Sequence, residues 1–172
     1  MTVEQYFEVA TKGMHEQVAD LPAPEVIEGL NLTAKEDITY RQMVDLREGL
    51  EKQLSEYEIA LLIGKLFCGA DVSGWEFSLF VPYMLMILKY NEKCIKYELK
   101  NLKYNPTAKE KKAGSERLGK FKDWGVASAI CKVYSGYTHD KVYNLKYSIV
   151  LAIQEYDLAV MKFERRYNAI KD

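Results

Sequence analysis

Residues able to do chemistry are few in this chain and poorly spaced. The two histidines, His15 and His139, stand far apart, and the three cysteines, Cys68, Cys94 and Cys131, form no CxxC pair. With no HxxxH pair either, the spacing predicts no metal site. Cys131 and His139 are the one thiol–imidazole combination near in sequence, but a separation across the Ser135-Gly136 break is no recognised nucleophile–base spacing. His139, opening a helix, is expected to face solvent, and Cys94 to act as a small hydrophobe. Glu36-Asp37 and Glu155 with Asp157 are carboxylate pairs, yet neighbours one and two apart on a helix do not face each other. Gly64, Gly69 and Gly74 are isolated and build no phosphate loop. The residues therefore predict no catalytic group and no cofactor, and the chain is expected not to be an enzyme.

A basic segment, residues 89–122, is interleaved with Tyr90, Tyr97 and Tyr104. Lysines neutralise phosphates and aromatics stack on bases, so nucleic-acid binding is one reading of it. On a helix, however, the row Lys89, Lys96 and Lys103 falls opposite the apolar arc that holds the tyrosines, and Arg117 is the only arginine of the segment. A solvated back face fits those directions better.

The elements that must carry these residues read as helices. Thr2 with Gln5 makes a capping box for a first helix with Val3, Phe7, Ala10 and Met14 on one face. It should stop before Leu21-Pro22-Ala23-Pro24, leaving an extended, proline-containing connection near 20–38 with one helical turn about 26–30. A second helix is expected over Thr39–Leu54. Ser55 with Glu58 caps a third through Ile59, Leu62, Ile63, Leu66 and Phe67, with Gly69 as its stop. Ser73 with Glu76 reads as another capping box.

From Tyr83 to Tyr104 the chain repeats in sevens: Tyr83, Tyr90, Tyr97 and Tyr104, beside Leu88, Ile95 and Leu102. That predicts a long amphipathic helix over about 83–104, beginning or kinking at Pro82 and ending at Asn105-Pro106. Thr107 can cap a polar helix over 109–120 whose inner positions would be Ala113, Leu118 and Phe121, and more structure follows around Trp124–Tyr134. After Ser135-Gly136-Tyr137, a second long helix is expected over 138–170. Val142, Leu145, Ile149, Ala152, Tyr156, Ala159, Phe163 and Ile170 keep a 3-4 spacing broken only at Arg166. Val150, Leu151, Leu158 and Met161 lie off that seam, so one neighbouring helix cannot cover both sets.

With no alternating apolar–polar run and no Asn-Gly or Asp-Gly hairpin, the expected fold is all-α. It is a single helical bundle of five to seven helices with two long amphipathic ones, over residues 1–172. Composition agrees: 172 residues, 48% apolar and 28% charged, make one domain with a proper core. The acidic opening Met1–Glu8 lacks a signal-peptide pattern, and the longest apolar run, Leu79–Leu88, is ten residues and too short to span a bilayer. The odd cysteine count suits a reducing compartment. Net charge is −1, yet residues 1–82 carry 6 basic and 15 acidic groups while 83–122 carry 11 and 4. Those blocks either neutralise each other within one fold or meet between molecules.

The C-terminal half carries a pattern: Ala113-Gly114-Ser115-Glu116-Arg117-Leu118, Phe121, Asp123-Trp124-Gly125, Thr138-His139-Asp140-Lys141-Val142, and a long aromatic helix closing on Phe163-Glu164-Arg165-Arg166-Tyr167. Over about 107–170 it resembles small α-helical morphogenesis proteins of tailed bacteriophages, the tail assembly chaperones and small tail or head–tail joint components. The opening Thr2–Phe7 and the stretch Tyr40-Arg41-Gln42-Met43 are similar in tone. The resemblance implies a non-catalytic protein that contacts other phage proteins or copies of itself, in the host cytoplasm during assembly or in the virion. A cellular helical adaptor is the alternative, with a nucleic-acid binder third. The expected contact surface is the end of the last helix, with Leu158, Met161, Phe163, Tyr167 and Ile170 rimmed by Arg165 and Arg166.

Overall fold

The computed structural model describes residues 2, 3 and 32–171. The helix expected from Thr2, His15 and most of the 20–38 connection lie outside them. Among the described residues seven α-helices form and no strand does. They are α1 (Tyr40–Leu50), α2 (Glu56–Ile63), α3 (Phe77–Asn101), α4 (Ala108–Lys112), α5 (Lys122–Val133), α6 (His139–Tyr143) and α7 (Tyr147–Lys171). The all-α fold is as the sequence predicts. The chain divides into two compact units, Met1–Lys93 and Cys94–Asp172, with the boundary inside α3.

In the first unit, polar side chains close the helix ends around an apolar core of aliphatic and aromatic side chains. Thr39 caps α1 reciprocally: its backbone N–H donates to Gln42 Oε1 at 2.9 Å, and Gln42 N donates to Thr39 Oγ1 at 3.3 Å. The same Gln42 amide donates from Nε2 to Leu66 O at 2.8 Å. Ser55 and Glu58 cap α2 in the expected box. The helix then widens into one π turn, Gly64–Cys68, and stops at Gly69, whose φ of 66° suits a residue without Cβ. That end leaves carbonyls to be satisfied. Thr33 donates to Phe67 O from both N (3.1 Å) and Oγ1 (2.7 Å), and Tyr83 OH in turn donates to Thr33 O at 2.9 Å. Met43, Leu46, Ile63, Phe67, Phe80 and Ile87 are fully buried within this frame.

Three boundaries differ from the sequence expectation. Helix α1 ends at Leu50 instead of Leu54, because residues 51–53 turn through Gln53 at φ 54° and Ser55 needs extended backbone to cap α2. Ser73 and Glu76 do not form a capping box. The Ser73 N–H is taken by Asp71 Oδ1 at 2.9 Å, Glu76 forms an isolated bridge with Thr2, and Val3 N donates to Trp75 O at 2.8 Å. Helix α3 begins at Phe77 and carries Pro82 inside it. Close to the helix start, Pro82 forgoes one backbone hydrogen bond, which the buried packing of Phe80, Val81 and Tyr83 offsets.

The second unit is held by tyrosine–carboxylate bonds. Tyr97 OH donates to Glu155 Oε1 at 2.5 Å, Tyr134 OH to Asp157 Oδ1 at 3.2 Å, and Tyr147 OH to Glu98. The predicted 109–120 helix is two pieces here, α4 and a 3-10 run over Ser115–Phe121, because Gly114 adopts φ 84° between them. Its expected inner residues Ala113, Leu118 and Phe121 are exposed. The expected 138–170 helix is likewise broken. Thr138 caps α6 as foreseen, Asn144 N–H closes it onto Asp140 O, and α7 restarts at Tyr147. Asn is a weak helix former, so the break at Asn144 needs no Gly or Pro.

Candidate functional site

The two units treat their apolar side chains differently. The buried core residues fall mostly in the first unit, whereas every large exposed hydrophobic among the described residues falls between Ile95 and Ile170. They include Leu99, Leu118, Trp124 and Val133, but the one continuous row is on α7. There Ile149 is 43% exposed, Tyr156 64%, Phe163 66% and Ile170 83%, and Ala152 and Ala159 between them are exposed too. Along α7 the 3-4 seam therefore faces solvent, while Val150 and Leu158, off the seam, are buried and Leu151 and Met161 are half-buried. Periodicity locates a stripe but not the side from which it will be covered.

The residues expected at the contact surface separate accordingly. Phe163, Tyr167 and Ile170 are exposed, with the Phe163 and Tyr167 rings stacked at 6.1 Å. Arg166 is exposed and Met161 half-buried. Leu158 belongs to the interior. Arg165 is engaged within the unit: its Nη2 donates to Glu110 Oε1 at 2.7 Å and to Tyr104 OH, and its guanidinium lies 4.9 Å from the Tyr104 ring centre. Glu110 also accepts from Tyr104 OH at 2.6 Å and from Thr107 N at 2.6 Å. These bonds, Tyr104 first, then Thr107 and Arg165, pull the Glu110 carboxyl down to about 2. This node fixes α4 against α7 and leaves the seam open.

The basic segment keeps its lysines exposed, but Tyr97 and Tyr104 spend their hydroxyls on Glu155 and Glu110. His139 is not simply solvent-facing. Its ring stacks on Trp124 at 5.3 Å, and its Nε2 lies 2.9 Å from Ser128 Oγ, a partner the sequence reading missed in favour of Cys131. Residues 11 apart across a helix break meet only through the α5–α6 turn, which no local spacing reveals. The contact has nucleophile–base length, but no carboxylate orients the other ring nitrogen among the described residues. Burial pushes the Cys68 thiol up to about 11, the direction opposite to a reactive cysteine. Among the described residues no three His, Cys, Asp or Glu side chains are grouped to hold a metal ion, and no helix is long and apolar enough to cross a membrane. A shallow groove of about 530 Å³, lined by Tyr137, Asp140 and Lys141 beside Gly136, opens widely to solvent.

Compared with protein-family models, curated proteins and solved structures, the chain finds no match.

Proposed function

We propose that this protein acts by protein–protein contact in the morphogenesis of a tailed bacteriophage, as a tail assembly chaperone or a small virion component. The observation that carries the contact reading is the exposed α7 row of Ile149, Tyr156, Phe163 and Ile170. Fully burying side chains of this size is worth roughly 1.5–3 kcal/mol each, so a continuous row left in water favours association. The phage setting is supported by the sequence pattern over 107–170 that resembles morphogenesis proteins. Charge supports a role between molecules: the first unit's sequence carries 8 basic and 16 acidic groups, the second's 16 and 9.

Two measurements test this reading. Portal, tail-tube and tape-measure genes beside the coding sequence are the expected neighbourhood. A mass-spectrometric copy count in purified particles then sorts the roles, abundance marking a virion component and absence a chaperone released after assembly. A neighbourhood of ordinary cellular genes overturns the phage setting and favours the helical adaptor. Salt-sensitive retention on DNA by the purified protein favours the nucleic-acid reading of the 89–122 lysines instead.

A further inference from the structure

The exposed seam of α7 is complementary to itself. Seven residues mark it at alternating steps of three and four: Ile149, Ala152, Tyr156, Ala159, Phe163, Arg166 and Ile170. Each first position holds a large apolar side chain, and the second positions hold Ala, Ala and Arg. A parallel pair would set Tyr156 on Tyr156 and Phe163 on Phe163, with gaps at the alanine layers between them. An antiparallel pair alternates large with small. Tyr156 then lies opposite Ala159 of the second copy, Ala152 opposite Phe163 of the second copy, and Ile149 against the stem of Arg166 of the second copy.

Charge follows the same arrangement. Glu155 and Lys162 sit on one flank of the seam, one heptad apart. In the antiparallel register that flank meets its own copy, with Lys162 of the second copy about 3 Å along the axis from the position facing Glu155. Glu155 accepts from Tyr97 through Oε1, and among the described residues no hydrogen bond uses its Oε2. A patch that meets itself across a two-fold must carry both knob and hole and both signs of charge, and this one does.

We infer that the seam is covered by a second copy of this chain, α7 against α7 in antiparallel sense, making a two-fold dimer. The inference rests on the contact reading of the same face and names its partner. It makes the dimer the unit that enters assembly, and it spends the exposed row on self-association before any other protein is met.

Sedimentation velocity of the full chain over about 1–200 µM tests it. The expected result is a dimer whose dissociation constant rises at least about tenfold in Phe163→Ser, with circular dichroism unchanged because Phe163 is 66% exposed and, among the described residues, stacks only on Tyr167 of its own helix. Arg166→Leu, which puts an aliphatic side chain opposite Ile149, should tighten the dimer. Lys162→Glu should weaken it, and Glu155→Lys added to Lys162→Glu should restore it, a rescue that a parallel pair does not produce. A wild-type chain that stays monomeric throughout overturns the inference, as does a dimer indifferent to Phe163→Ser. Charge reversal without rescue, in a double variant whose circular dichroism matches wild type, overturns the antiparallel sense. Since virion counts and gene neighbourhood do not depend on dimerisation, a monomer sinks this inference without deciding the phage setting.

Discussion

At the scale of residues, Glu110 ties α4 to α7 in the second unit. Its carboxyl is held well below the ordinary 4.5, at about 2, by Tyr104, Thr107 and Arg165. A depressed carboxyl contributes stability in full above its unfolded value, and that contribution is lost as pH falls from about 4.5 toward 2. The melting temperature of wild type should therefore exceed that of Glu110→Gln at pH 6, and the gap should close as pH approaches 2. A constant gap across that window would show that the node is not electrostatic. Cys68 gives a second residue-scale prediction. With its thiol pushed up to about 11 by burial, alkylation of the folded protein at pH 8 should leave Cys68 at least about tenfold slower than a small thiol, read by peptide mass. Cys68 modified as fast as the free reagent thiol would contradict its burial. Neither feature was legible in the sequence. The heptad tyrosines stand out, but their spacing does not say which carboxylates they meet: Tyr104 bonds Glu110, six residues on, while Tyr97 bonds Glu155, 58 residues on.

At the scale of elements, caps follow their local signals while the joints between helices do not. Ser55–Glu58, Thr107, Thr138 and Gly69 act as caps and stop where their types predict, because capping is decided within four residues. Ser73–Glu76 fails because Asp71 takes the Ser73 N–H that the box would use. The breaks at Gly114 and Asn144 interrupt patterns that looked continuous, since helical spacing survives a short turn. The π turn at Gly64–Cys68 has no local signature, but it rests on close approach. A Cβ on Gly64 would lie 2.4 Å from Val72 Cγ1 and 3.1 Å from Ala70 O. Gly64→Ala should therefore cost about 1–3 kcal/mol in urea unfolding, through overpacking against the Gly69–Val72 turn. Exposed Gly119, with nothing near its Cβ position, should accept alanine at less than about 1 kcal/mol. Equal costs at both sites would mean that the turn has room to move aside.

At the scale of the whole molecule, burial divides as charge does. The first unit's sequence is acidic, and its described part holds most of the buried core; the second is basic in sequence and holds the exposed aromatic rows. The sequence pattern reached this scale in part: the charge blocks and the 3-4 seam were both visible before the structure. Which face of α7 is covered was not: Val150 and Leu158 are buried while the regular seam is exposed, and helical spacing alone does not choose between them. Hydroxyl-radical footprinting of the full chain, dilute and concentrated, tests most directly whether the α7 seam is a contact surface. Tyr156 and Phe163 should lose reactivity as concentration rises, while Leu99 and Leu118, exposed but off the seam, keep theirs. Unchanged labelling of Tyr156 and Phe163 across that range, or protection at Leu118 instead, would contradict the account.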